Sequence, residues 1–361
     1  MKRHDVGRRF RRSIAGPLLL ALTTALSAAP PTVVGPDAKA LKQSRQRAIN
    51  FLRSSQAEDG SWTSPAAPGI TALCTTALLR SGLKPDDPAV VRGLKHLGKL
   101  VRKDGGIYYP RTLHKNYETS IAILAFHAAN SDGRYDKIIA GGRKFLIHLQ
   151  WDEGEGLESS DPAYGGAGYG KHQRPDLSNT QFFQEALVAA GLKSDDPAMK
   201  KILVFVSRCQ NLETEHNTLP FAAKENDGGV IYTPVGGGKS QAGLTTGGGL
   251  RSYGSMTYAG LKSMIFAGVN RDDPRVQAAL GWIRRYYSVR ANPGLGQQGL
   301  YYYLHTFAKS LSALKIDRLE DSNGVRHDWR HELADELGRQ QKPNGSWVNR
   351  APRWYEGDPN L

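Results

Sequence analysis

Apolar residues recur along this chain in two alternating helical patterns. Segments 70–81, 117–129, 179–190, 253–267 and 301–314 are almost free of charge. Between them stand amphipathic, basic segments at 41–55, 136–149, 197–209, 274–287 and 327–341, plus the stripe Val90, Leu94, Leu97 and Val101. In the segment 274–287 the stripe is Val276, Leu280, Ile283 and Tyr287, a spacing that puts all four on one face of a helix. A helix apolar all round needs cover on every side, whereas a striped one needs it on one side only. The alternation therefore predicts a ring of uncharged helices inside a ring of striped ones, with five inside and six outside.

The joints support a repeat. Gly82-Leu-Lys-Pro-Asp-Asp87-Pro88 returns as Gly191-Leu-Lys-Ser-Asp-Asp196-Pro197 and as Gly268-Val-Asn-Arg-Asp-Asp273-Pro274. Glycine suits the left-handed end of one helix. Asp before Pro suits the start of the next, offering an acceptor for free N–H groups and then a ring with a preset φ. Each copy reads as helix, turn, helix, and repetition of that unit marks a repeat architecture. A second device, Gln-x-x-(Asp/Asn)-Gly-Ser-Trp, stands as Gln56…Gly60-Ser-Trp62 and Gln341…Gly345-Ser-Trp347. Looser forms are Gln150…Gly154, Asp104-Gly-Gly-Ile-Tyr108 and Asp227-Gly-Gly-Val-Ile-Tyr232. Here glycine makes the turn, the aromatic packs on the next helix and the glutamine caps exposed backbone.

These repeats resemble those of the squalene cyclase and protein prenyltransferase superfamily, from Leu41 to Trp347. The resemblance implies an all-α fold, the α/α toroid, with a central cavity lined by the starts of the inner helices. It implies a polyprenoid or other apolar small molecule as ligand. Both reactive signatures of that superfamily are altered. The inner-helix His305-Thr306 is similar to a zinc-binding His-Thr, yet Tyr253 and Ser255 stand where the family's other two ligands, Asp and Cys, would be. A catalytic zinc needs about three protein ligands, so no metal or other cofactor is expected. The cyclases' proton-donating Asp-x-Asp-Asp has only an echo, Asp176-Leu-Ser178-Asn179, with serine at the acid's position.

Chemistry-bearing residues nevertheless gather at the predicted inner-helix starts. His305, Tyr253, Glu118 and Asp176 are the candidate catalytic groups, since His and Tyr can exchange protons and buried polar groups need a reason. Tyr117, Asn179, Gln181, Tyr258, Tyr302 and Arg251 are the candidate substrate contacts. Capping explains Asp176 and Asn179 equally well, and a tyrosine-packed histidine is the plain reading of His305. Three functions remain open: a polyprenoid-handling enzyme, a non-catalytic binding or scaffold toroid, and a polysaccharide lyase-like enzyme using Tyr and His. The Asp-Asp pairs of the joints are read as caps, and Gly236-Gly-Gly238-Lys239-Ser240 lacks the strand–helix setting of a phosphate loop. The glycine-rich connection 211–252 reads as a lid over an anionic ligand or as a surface insertion.

Composition adds the setting. The 361 residues carry a formal charge of +14 and 40 glycines. Residues 1–29 order a basic, an apolar and a small-residue stretch, as an export signal does, and the apolar part is short for a membrane span. Residues 30–40 read as a linker and 41–361 as one toroid domain. The basic side chains fall on outer faces of helices, which argues against nucleic-acid binding and leaves a membrane surface open as a partner. Cys74 and Cys209 fall on non-neighbouring hairpins and are expected as buried free thiols.

Overall fold

The computed structural model describes residues 34–171, 173–351 and 353–361. The expected export signal lies outside them. From Val34 onward the chain forms one compact unit. In chain order the helices are α1 (Ala38–Ser55), α2 (Pro68–Arg80), α3 (Pro88–Gly98), α4 (Lys115–Ala128), α5 (Asp136–His148) and α6 (Leu177–Ala189). There follow α7 (Pro197–Arg208), α8 (Pro220–Glu225), α9 (Gly254–Phe266), α10 (Pro274–Arg285), α11 (Leu300–Ala313) and α12 (Trp329–Gln340). A hairpin of β1 (Leu319–Glu320) and β2 (Arg326–His327) precedes α12.

The architecture is the α/α toroid expected. Each inner helix packs on the next, α2 on α4, α4 on α6, α6 on α9 and α9 on α11, while α1 meets α12 to close the outer ring. The six striped helices α1, α3, α5, α7, α10 and α12 lie outside the five uncharged ones. Helix ends fall within three residues of those expected, and two differences have clear causes. Helix α1 starts at Ala38, inside the supposed linker, because Asp37 accepts the Ala40 amide at 2.6 Å. His327 does not begin the last helix. It sits in β2, its imidazole against Glu332 and Asp321, and Asp328 caps α12 instead.

The Asp-Asp-Pro joints are caps. Asp87, Asp196 and Asp273 accept the amides of Ala89, Ala198 and Arg275 at 2.9–3.0 Å, each with proline at the first helical position. The glutamine device is more regular in space than in sequence. Gln56 donates to the carbonyls of Gly60 and Ala89, Gln150 to Gly165 and Ala198, Gln210 to Gly228 and Arg275, and Gln341 to Gly345 and Ser44. Every such side chain ties its own loop to the outer helix beyond. The partner of Gln150 is thus Gly165 and not Gly154, because the loop 151–164 is inserted between them. The last copy lands on α1, and so shuts the ring. The indole N–H groups of Trp62 and Trp347 each donate at 2.8 Å to a carbonyl of the preceding outer helix, Leu52 or Leu337, while the Trp62 ring packs forward against Gly93 of α3.

Glycine is required at these loops because the chain turns through positive φ while pressed against a helix. At Gly165, φ is 84°, and an added Cβ would lie 1.9 Å from the Lys201 carbonyl oxygen. Gly165→Ala is therefore expected to cost about 2–4 kcal/mol, the left-handed penalty plus overpacking. Urea unfolding at one pH measures it, and a loss under ~1 kcal/mol would mean the loop can move away.

Cys74 and Cys209 are buried free thiols, as expected. The segment after Trp347 forms a strap that the repeat pattern does not foretell. Glu356 accepts the Tyr302 amide at 2.8 Å and the Asn349 side chain at 2.6 Å, capping the start of α11. Further on, Asp358 and Asn360 accept from Thr63 and Ser55. The strap thus runs across the N-terminal end of the inner ring, from α11 to the start of α2.

Candidate functional site

Inner helices turn one face to their neighbours and one to the ring's middle. Four of them bring side chains together there. Tyr117 on α4 meets Phe182 on α6 edge to face at 5.7 Å between ring centres, and Gly69 at the start of α2 leaves room for the tyrosine ring. Phe182 lies 6.1 Å from Tyr302 and 6.3 Å from His305, both on α11. The Ser178 hydroxyl donates to that of Tyr302 at 3.1 Å. Tyr117, Tyr302 and His305 are deep in the ring, yet they keep part of their surface accessible, as do Ile70 and Leu73 on α2. Groups so placed face a hollow. Beside Ile70 a cavity of about 650 Å³ opens between Thr63 and the strap residues Val348, Arg350, Tyr355, Asp358 and Leu361.

Burial governs the chemistry of these groups. It pushes the Tyr117 and Tyr302 hydroxyls well above the ordinary tyrosine range, so both stay neutral. It also holds His305 down to about 4, with nearby Lys262 and Lys309 lowering it further and Glu185 opposing them. The imidazole is therefore neutral near pH 7, and its buried Nε2 has no partner within the protein. Tyr253, the N-cap residue of α9, has its phenol pushed far up by burial; its electrostatic neighbours are Tyr302, Asp176 and Arg353. His305 instead answers to Glu185, Lys262 and Lys309. Tyr253 and His305, the proton-exchanging pair expected from sequence, are thus both neutral near pH 7 and have different electrostatic neighbours.

Asp176 is the other focus. It caps α6, accepting the Asn179 amide at 2.9 Å and the Asn179 side chain at 2.8 Å. Burial nevertheless raises its carboxyl from the usual 3.8 to about 6, outweighing those bonds. A cavity of about 240 Å³ adjoins it, lined with Tyr169, Gln173, Arg174 and Tyr232. Tyr169 and Tyr232 are both pushed up by burial.

The remaining candidates have other work. Glu118 accepts from the Tyr109 amide (2.9 Å) and the Thr112 hydroxyl (2.6 Å), so it pins the loop before α4. Tyr258 packs on Tyr303 and Phe307 at 5.7 and 5.0 Å, between helices and away from the hollow. Arg251 donates to the Leu244 carbonyl within the 211–252 connection. That connection is largely pinned: Asn211 holds Leu250 and Ser252, while Phe221, Ala222 and Ile231 form a small core of their own. Gln181 does reach the site, with its amide 3.5 Å from the Tyr302 hydroxyl and its oxygen on Lys262.

Sequence reasoning missed the charges below His305. Glu185 on α6 pairs with Lys262 on α9 at 2.9 Å, with Lys309 on α11, and at 3.8 Å with Arg80 at the end of α2. Burial alone would raise the Glu185 carboxyl, but Lys262 and Lys309 hold it well below the usual range. Lone charges inside otherwise uncharged helices were the available signal. Among the described residues no group of three or more His, Cys, Asp or Glu is placed to hold a metal. No helix among them is long and apolar enough to cross a membrane.

The fold is thus a toroid, an inner ring of helices inside an outer one. The chain is similar to the type II terpene cyclase MstE from Scytonema in its apo form, with 16% identity over 90% of this chain and 87% of that one and a TM-score of 0.50. It is similar also to a variant of that cyclase in complex with its substrate geranylgeranyl dihydroxybenzoate, with 16% identity, 89% and 85% coverage and a TM-score of 0.51. At that identity the likeness is one of fold. No family model and no curated protein matches the sequence.

Proposed function

We propose that this protein is a terpene cyclase-like enzyme that holds a polyprenoid chain in its inner ring and acts on one end with Asp176 as proton donor. The observation that carries the reading is Asp176 itself, 3% exposed and shifted to about 6, beside a cavity and next to the aromatic hollow. The similar fold that accommodates a geranylgeranyl substrate supports the apolar ligand. Tyr117, Phe182 and Tyr302 supply apolar walls and ring faces that favour developing positive charge. A carboxyl with a pKa near 6 is a weak acid. It gives its proton to an epoxide or carbonyl oxygen far more readily than to an unactivated alkene, so the substrate is expected to carry such an oxygen at the end nearest Asp176.

The test is incubation with a terminally epoxidised farnesyl or geranylgeranyl compound, followed by chromatography of the products. Wild type should convert it faster as pH falls toward 6, and Asp176→Asn should lose at least a hundredfold in rate while still binding it. Equal conversion by the two proteins would remove Asp176 from the mechanism. One observation favours a second reading, a non-catalytic binding toroid: Ser178 occupies the position of the family's acid and is spent on Tyr302. Binding without conversion of any such compound would select it. Export through residues 1–29 belongs to the proposal too, and cell fractionation tests it.

A further inference from the structure

The strap divides into a fixed part and a loose one. Glu356 is 5% exposed, and its carboxylate accepts the Tyr302 amide and the Asn349 side chain. The Trp354 ring lies against Gly299, and the Arg353 guanidinium bonds to Gln241 and Gln298. Up to Glu356 the strap is therefore anchored on the start of α11 and on the 211–252 connection. Past it the footing changes. None of residues 357–361 is buried. Their bonds to the ring run from Asp358 to Thr63 and from Asn360 to Ser55 and Thr63, all between side chains near the surface. Such bonds exchange readily with those of water.

This tail covers two things. It spans the cavity of about 650 Å³ beside Ile70, where packed side chains would otherwise support it. Behind it Cys74, 2% exposed, gives its thiol to the Asn360 carbonyl at 3.2 Å. The other half of the clasp is strained. Thr63 is β-branched and holds φ at 63°, where such residues rarely go. Its hydroxyl donates to Asp358 and accepts from Asn360. A sparsely populated backbone conformation persists only where its surroundings hold it, and such residues gather at clamps and switches. A strained clasp, a tail without a buried residue and a cavity beneath make a lid that opens without disturbing the core.

Position gives the lid a use. Ile70, Val348, Ala351 and Leu361 form apolar wall to the cavity, and the Asp358 carboxylate is occupied by Thr63 and the Asn360 amide. Gly69, next to Ile70 in the chain, lies against the Tyr117 ring. We infer that residues 357–361 are a lid, hinged after Glu356 and clasped at Thr63, whose opening admits and releases an uncharged apolar ligand at the N-terminal end of the inner ring. The inference rests on the reading of the ring as a polyprenoid site and adds a gate to it.

Two readouts on the full chain test it. The first is alkylation of the native protein by N-ethylmaleimide, with mass spectrometry assigning the label to Cys74 or to Cys209, which is 0% exposed. Thr63→Gly removes the hydroxyl of the clasp and suits the left-handed backbone, so it frees the lid without straining the fold. Asn360→Ala cuts the ties to Ser55 and Thr63 from the other side. Both leave Asp358 in place, so its charge beside the Cys74 thiol is unchanged. Each variant should label Cys74 at least tenfold faster than wild type, with Cys209 unlabelled and the urea midpoint unmoved. Labelling of both cysteines would report general loosening, and an unchanged rate at Cys74 a fixed tail; either overturns the lid. The second readout is stopped-flow mixing with geranylgeraniol, followed by tryptophan fluorescence. A gate sets rates and not affinity, so each variant should raise association and dissociation rates together, at least fivefold, and leave the Kd within twofold. Unchanged rates, or a Kd that moves with them, would overturn the gate and leave the polyprenoid reading standing. If geranylgeraniol binds neither wild type nor variant, that reading falls and the gate with it.

Discussion

Glu185→Ala is expected to destabilise the protein by about 3–5 kcal/mol, the usual cost of stripping the partner from a buried charge. Glu185 is the one carboxylate among Arg80, Lys262 and Lys309, and the Lys262 side chain is completely buried. Without Glu185, the ammonium of Lys262 keeps the Gln181 oxygen alone, with the Phe266 ring 5.7 Å away. It must then stay charged in a poor setting or lose its proton. The double variant Glu185→Leu/Lys262→Met should recover most of the loss, because removing both members of a buried pair is close to neutral where removing one is not. Urea unfolding of the two single variants and the double gives the coupling. A loss below ~1 kcal/mol for Glu185→Ala would mean that water reaches the cluster.

This cluster also marks where sequence reading stops. The toroid was legible because periodicity and capping are local: Asp87-Pro88, Asp196-Pro197 and Asp273-Pro274 each start a helix with chemistry carried by neighbouring residues. Two classes of helix then leave one arrangement that covers both. The Gln56 and Gln341 devices were readable for the same reason, but Gln210 was not, since it stands 17 positions before Asp227 of its own loop. Side-chain direction around an inner helix is less local. Tyr258 and Tyr302 look alike in sequence, yet one turns toward Tyr303 and Phe307 and the other toward Phe182, because the twist between neighbouring helices decides which face meets the ring's middle. Glu118 shows the same limit: a carboxylate near a helix start has two uses, and only the structure shows that it holds the loop of Tyr109 and Thr112. The strap lacks any periodic signal, and only its partners on α11 and near α2 reveal what it does.

Asp176 and His305 should impose opposite pH dependences on stability, and substitution should expose each. The Asp176 carboxyl titrates near 6 in the folded protein against an ordinary 3.8, so the fold holds the proton more tightly than the unfolded chain. Its ionisation therefore costs stability, which declines as pH rises from about 4 to 6 and stays lower above that. Asparagine keeps an acceptor for the Asn179 amide and cannot ionise. Asp176→Asn is thus expected to be more stable than wild type by about 2–3 kcal/mol at pH 8, and no more stable below pH 4. His305 works the other way. Its folded value near 4 lies below the ordinary 6.5, so the unfolded chain takes up the proton first as pH falls. Its contribution is complete above pH 6.5 and is lost on the way down to 4, by roughly 3 kcal/mol. Between pH 4 and 6 the two slopes oppose each other, and their sum is nearly flat in the wild type. Asp176→Asn should leave the His305 slope alone, with stability falling as the solution is acidified. His305→Gln should leave the Asp176 slope, with stability falling as it is made more alkaline up to pH 6. Urea unfolding at five pH values from 4 to 8 separates the three curves. A catalytic acid held against its own preference should cost the fold something. If Asp176→Asn is instead less stable at pH 8, the carboxylate is an ordinary helix cap, and the proton donor must be sought elsewhere in the ring.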